Sequence, residues 1–156
     1  MSARTWLACS AFVASAVVMG GLAHAQPAAA PSVTASILEV SATTGKTPSI
    51  DPELKPLEKK LTRPPFSSWN QFKVLMKTQQ TLVKRKPAPI ALKVGKATVT
   101  LVEIVDKSKC RLSVTIEDAK GKQIVNNTST VEGGDYLVYG HSLPSNEGHL
   151  LALTCK

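Results

Sequence analysis

The sequence predicts a mainly β protein: an antiparallel β-sandwich or small barrel of about eight strands with one short helix on its N-terminal side. Three observations carry that expectation. From Asn70 onward, apolar and polar residues alternate with the period of two that a half-buried strand requires. Clusters of Gly, Asp, Ser and Asn break the alternation at short intervals. The connections are too short for the crossover that joins parallel strands, so neighbours are expected to run antiparallel.

Residues 1–25 read as an export signal rather than as part of that fold. Arg4 precedes an apolar run from Trp6 to Leu22, and Ala23-His24-Ala25 is the small-x-small pattern that a signal peptidase cuts after. Gly20-Gly21 breaks the run, which falls short of the ~20 apolar residues of a spanning helix. Residues 26–32 form an Ala/Pro-rich spacer, and 33–156 a single β-rich domain with no transmembrane segment left after cleavage. Cleavage also removes Cys9 and leaves Cys110 and Cys155 as an even pair. In an oxidising compartment that pair is expected to close as one disulfide. For a loop of roughly 46 residues the chain-entropy gain is about 4 kcal/mol.

Within the domain, 33–42 reads as the first strand. Val33, Ala35 and Ile37 share one parity, and Leu38, Val40 and Ala42 the other, which implies a bulge or burial on both faces. Asp51-Pro52-Glu53 has the form of a helix start, with a cap, a first-turn proline and an acid. The helix is expected over about 51–62, with Leu54, Leu57 and Leu61 as its apolar stripe and Pro56 limiting or kinking it. Phe72, Val74, Met76 and Leu82 then alternate with Lys73, Lys77, Gln79 and Thr81 on a long half-exposed strand. Ile90, Leu92 and Val94 make another, joined by a two-residue turn at Gly95-Lys96 to a return strand over 97–105. Cys110, Leu112, Val114 and Ile116 alternate next, and 123–131 reads as a polar, Asn/Thr-rich edge strand. Strands over 136–140 and 149–155 complete the set, with 141–148 as a loop. Both cysteines share parity with apolar neighbours, so both sulfurs are expected in the core.

The segment Ile50-Asp51-Pro52-x-Leu54-x-x-Leu57-x-x-x-Leu61, then Pro65-Phe66-Ser67-Ser68-Trp69 and a β-rich half, resembles a loose group of small exported bacterial proteins of unknown function, known mainly from myxobacteria and their relatives. In that group a Gly-Gly turn leads to an aliphatic strand, a Gly-rich segment and an aliphatic C-terminal strand. Gly133-Gly134, the strand to Gly140, and Gly148 to Leu153 stand in those places. His141, His149 and the cysteine pair depart from the pattern. The resemblance implies export and a β-rich fold, and carries no catalytic residue.

Catalytic motifs are lacking. His141 and His149, with Asp135 and Glu147 nearby, have no Gly-x-Ser-x-Gly elbow or other nucleophile signature beside them, and read as loop histidines at a solvent-facing rim. His141, Glu147 and His149 offer three potential metal ligands in nine residues, yet their spacing matches no standard zinc pattern. No cofactor is implied.

Charge is distributed unevenly. The formal charge is +8, and loss of Arg4 with the leader brings it to +7. Between Lys55 and Lys96, eleven basic residues face one acid, Glu58; the rest of the mature chain holds seven bases and ten acids. The basic set includes Lys59, Lys60 and Arg63 on the helix, Lys73 and Lys77 on the outward side of a strand, and Lys84-Arg85-Lys86 before Pro87. Such a region concentrates anionic partners through a salt-sensitive field. Export and the scarcity of aromatics argue against nucleic acid. The expectation is therefore a non-enzymatic periplasmic or extracellular domain that binds another envelope component, through its basic surface or its edge strand. Alternatives are a polyanion binder (lipid head group, lipopolysaccharide or glycan, with peripheral membrane contact) and a small metal-dependent or hydrolytic activity at the His141–His149 loop.

Overall fold

A computed structural model describes residues 28–156, so the expected export signal and the first two spacer residues lie outside the described residues. Among the described residues nine strands form two sheets. The five-stranded sheet has the order β2 (Ser49–Ile50), β3 (Gln71–Val83), β1 (Ser32–Thr43), β9 (Gly148–Cys155), β8 (Leu137–Ser142). The four-stranded sheet runs β4 (Pro87–Ala91), β5 (Lys96–Asp106), β6 (Lys109–Glu117), β7 (Gln123–Glu132). Every strand pair is antiparallel except the two-residue β2 against β3. The architecture is a sandwich, and the described residues form no closed barrel.

Two hydrophobic cores explain which strands are apolar throughout. Between the sheets, Ile37, Leu151 and Leu153 pack with Val99, Leu101, Leu112 and Val114. On the other side of the five-stranded sheet, Leu38, Val40, Phe72 and Leu150 pack with Leu54, Leu57 and Leu61 of a helical cap. Each such side chain contributes about 1.5–3 kcal/mol by leaving water. The five-stranded sheet is therefore covered on both faces, and all eight residues of β9 are buried. Cys110 of β6 and Cys155 of β9 are disulfide-bonded, with Cα atoms 6.6 Å apart, so the bridge ties one sheet to the other.

Four local expectations need correction. First, β1 is buried on both faces, one of the two alternatives expected for it, and the correction falls on β3, which carries a bulge. Glu39 opposes Met76 and Val40 opposes Val74, so Leu75 is the extra residue. Beyond it the side chains change face: Lys77 opposes Leu38, towards the cap, whereas Lys73 opposes Ser41 on the other face. The two lysines do not share a surface.

Second, the expected helix over 51–62 is mostly a 3-10 turn, Pro52–Leu57, followed by the single α-turn α1 (Glu58–Leu61). Asp51 does cap it, accepting from the Glu53 N–H at 3.2 Å. Pro56 has no N–H to donate and so prevents regular α bonding. Third, β4 ends at Ala91, which opposes Lys96, so four residues rather than two form the turn and Leu92 and Val94 leave the strand. Gly95 sits there at φ +89°, and a Cβ would strike the Glu117 carbonyl. Fourth, β8 extends through His141, which lies opposite His149. Both histidines thus belong to strands.

Candidate functional site

Glu39 sits at the middle of β1 with its side chain on the inter-sheet face, fully buried. A buried carboxylate needs partners to offset its lost hydration. This one has three. His149 Nε2 lies 2.7 Å away, and the backbone N–H groups of Lys93 and Val94 donate to it at 2.9 and 3.2 Å. The four-residue β4–β5 turn is wrapped around that carboxylate, which explains why it is longer than the hairpin rule predicts.

His141 stands edge-on to His149, with ring centroids 5.2 Å apart and planes at 70°. Its Nε2 and the nearby Tyr139 hydroxyl are buried without a hydrogen-bond partner among the described residues. Burial, and secondarily the His149 ring, hold His141 below the ordinary imidazole value, with Asp118 opposing weakly. On its outer side His141 lines a groove of about 460 Å³ with Asp118, Lys122, Gln123, Ser142 and Leu143.

This arrangement overturns the solvent-rim reading of the histidines, because His149 is buried and its acid comes from β1. Asp135 instead pairs with Lys60 at 2.7 Å, which lowers the Asp135 carboxyl below its ordinary range. Glu147 is exposed in the β8–β9 turn, where its carbonyl accepts the Leu143 N–H. Among the described residues no three His, Cys, Asp or Glu side chains group to hold a metal, so His141, Glu147 and His149 do not form a ligand set. Glu39 and His149 supply the acid–imidazole half of a hydrolytic triad, but among the described residues no hydroxyl or thiol hydrogen-bonds to either ring. The geometry makes Glu39 a pin for the β4–β5 turn. Sequence reading missed it, although it is the one acid between Val33 and Ala42.

The basic residues are dispersed. Lys59, Lys60 and Arg63 line a groove of about 470 Å³ with Phe66 and Tyr136. Lys60 is engaged there by Asp135 and by the Tyr136 carbonyl. Lys77 is paired with Glu53 at 2.8 Å, which raises its ammonium above the ordinary value. Among the described residues Lys59, Arg63, Lys73, Lys84, Arg85 and Lys86 have no carboxylate within ion-pair distance. Lys84-Arg85-Lys86 lies beyond the far end of β3, roughly 35 Å from Lys73 along the strand. The expected basic half is therefore several separate patches.

The strand expected at an edge is at one. β7 closes the four-stranded sheet, and its partner on the inner side is β6. From Gln123 to Val131 it carries neither a charge nor a proline, and Asn126, Asn127, Thr128 and Thr130 are exposed. Comparison with protein families, curated proteins and solved structures returns no match.

Proposed function

We propose that the chain is a non-enzymatic exported domain, periplasmic or extracellular, that assembles with an envelope partner by accepting a strand along β7. The observation that carries this reading is the regular, uncharged stretch of edge from Val125 to Val131. Natural sheets blunt exposed edges with charges, prolines or bulges, because a free row of N–H and C=O groups templates unwanted pairing. β7 has one bulge, at Ile124, and beyond it keeps a regular pairing edge from Val125 to Val131 without charge or proline. Strand addition supplies main-chain hydrogen bonds for affinity and leaves selectivity to alternate side chains. The leader-like 1–25 and the disulfide support an oxidising, exported setting.

A second reading draws on the groove at Lys59 and Arg63, which offers two unpaired cations beside Phe66 and Tyr136 and suits an anionic lipid head group or glycan. Capture from envelope extracts at low and high salt, with the parent and Thr128→Lys, separates the two. Strand addition gives salt-tolerant recovery of a protein that the lysine abolishes. Salt-labile recovery of lipid or glycan, unaffected by the lysine, supports the groove and rejects the edge.

A further inference from the structure

We infer that the end of the sandwich where the chain enters the fold is a docking surface for an anionic phospholipid bilayer. This surface is separate from the β7 edge and shares no residue with the groove at Lys59 and Arg63. Exposed apolar side chains mark it first. Among the described residues the large apolar side chains that stand exposed are Leu75, Ile104 and Val105, and the last two are neighbours at the end of β5. Ile104 is 36% exposed and Val105 50%, enough for both to enter the interfacial layer of a bilayer. Unpaired cations flank them. The Lys84 N–H donates to the Pro31 carbonyl at 2.9 Å, and the Arg85 N–H to the Leu101 carbonyl at 2.7 Å. The Lys84-Arg85-Lys86 turn is thereby held between the entering chain and β5. On the other side of Ile104, Lys107 and Lys109 line with it a groove of about 450 Å³ that also takes in Ser32 and Val33.

Charge and chain path together name the occupant. Among the described residues Lys84, Arg85, Lys86 and Lys107 have no carboxylate within ion-pair distance, whereas Lys109 is paired with Glu132. Against these four cations stand Glu103, opposite Arg111 in the ladder, and Asp106, which accepts from the N–H and hydroxyl of Ser108. Cations beside exposed aliphatics suit a surface that offers phosphate at one depth and hydrocarbon just below it. The opposite end of the sandwich also carries lysines, Lys120 and Lys122, but no exposed large aliphatic side chain. It also lies away from the entering chain. In the export reading the apolar run ends at Leu22, and nine residues separate it from Ser32. Fully extended, they reach about 30 Å, so before cleavage the leader holds this end of the fold close to a bilayer.

The test is flotation with vesicles of phosphatidylglycerol mixed with phosphatidylcholine, and of phosphatidylcholine alone. The protein is the chain from Gln26, which keeps every described strand and both cores but lacks the apolar leader. It should bind the anionic vesicles only, and less as salt rises. Arg85→Glu with Lys86→Glu should weaken binding about a hundredfold, because two attractions become repulsions. Val105→Ser should weaken it about fivefold. Lys120→Glu with Lys122→Glu, an equal change of charge at the opposite end, should cost less than about threefold. Val105→Trp should gain a blue-shifted emission on the anionic vesicles. Circular dichroism confirms that each variant is folded. Absence of binding to the anionic vesicles overturns the inference, and so does an unshifted Val105→Trp. Equal weakening by the two double reversals also overturns it, since net charge alone would then explain the binding. Loss through Lys59→Glu with Arg63→Glu, with Arg85→Glu and Lys86→Glu harmless, moves the lipid site to the groove and overturns it as well. Thr128→Lys should leave vesicle binding unchanged. Failure of docking therefore leaves strand capture by β7 to its own test, and failure of that capture leaves docking standing.

Discussion

One flank of the four-stranded sheet ends on β4 and the uncovered half of β5, the other on β7, and the two are finished differently. On the first flank Pro87 and Pro89 remove ladder donors from β4. Beyond β4, β5 carries bulges at Val102 and Val105 and the acids Glu103 and Asp106. Ile104 and Val105 are exposed there, yet the backbone beside them is too irregular to template a partner. The turn joining the two strands is fastened from inside by Glu39. On the second flank β7 has a single bulge near its start, at Ile124, and from Val125 to Val131 neither charge nor proline. One sheet thus has a more closed side and a more open side, and the proposed assembly through β7 rests on that contrast rather than on net charge.

Four changes probe that contrast, in decreasing order of expected effect. Replacing both Cys110 and Cys155 with Ala should cost about 4 kcal/mol by releasing a long denatured loop. Because Cys110 lies between Ile104 of β5 and Val131 of β7, hydrogen exchange should accelerate on both flanks alike. A loss under about 1 kcal/mol in urea unfolding would reject the bridge as the main staple.

Glu39→Ala should cost about 3 kcal/mol, since it strands the buried His149 and removes the acceptor of the half-buried Lys93 and Val94 N–H groups. Its effect should be lopsided: exchange at Lys93 and Val94 rises while β7 amides keep their protection. Equal loosening of both flanks would contradict the role of Glu39 as a pin for the closed side.

Lowering the pH should act more mildly. The folded chain holds His141 below the ordinary value of 6.5, so the unfolded chain binds the extra proton. Stability is then full above 6.5 and declines as the pH falls through it, until folded His141 also protonates. His141→Gln should flatten that slope in melting temperature against pH, and an unchanged slope would assign it elsewhere. Smallest of all, Thr128→Lys should leave the stability of the single chain within about 0.5 kcal/mol while abolishing assembly through β7. A large loss of stability would mean that Thr128 serves the fold itself.

Much of the sandwich was legible because alternation reports burial directly. Cys110, Leu112, Val114 and Ile116 read as an inward row and lie in the core between the sheets, and the parity of Cys155 places it to meet Cys110. What alternation cannot show is a change of face caused by one extra residue. Leu75 has no sequence mark that distinguishes it from a regular strand residue, yet it separates Lys73 from Lys77 and breaks up the supposed basic stripe. The Glu39–His149 contact was hidden for a different reason. Its partners are 110 residues apart, and a buried acid among aliphatics resembles an ordinary surface residue until the second face is known to be covered. The turn at Gly95 failed with it, since its length is set by a carboxylate from a distant strand.

The position of β9 has a consequence for how the molecule is made. It lies between β1 and β8, with Glu39 opposite Leu151 and Leu137 opposite Leu153. Before the last strand arrives, β1 lacks one neighbour, β8 has none in its sheet, and both hydrophobic cores miss their C-terminal contributors. Such distant pairing demands large loop closure before it returns any contact energy, so folding is expected to be slow and to commit late. A chain of this design stays open until its end is in hand, and a truncation within Leu150–Cys155 should abolish the native state rather than trim it.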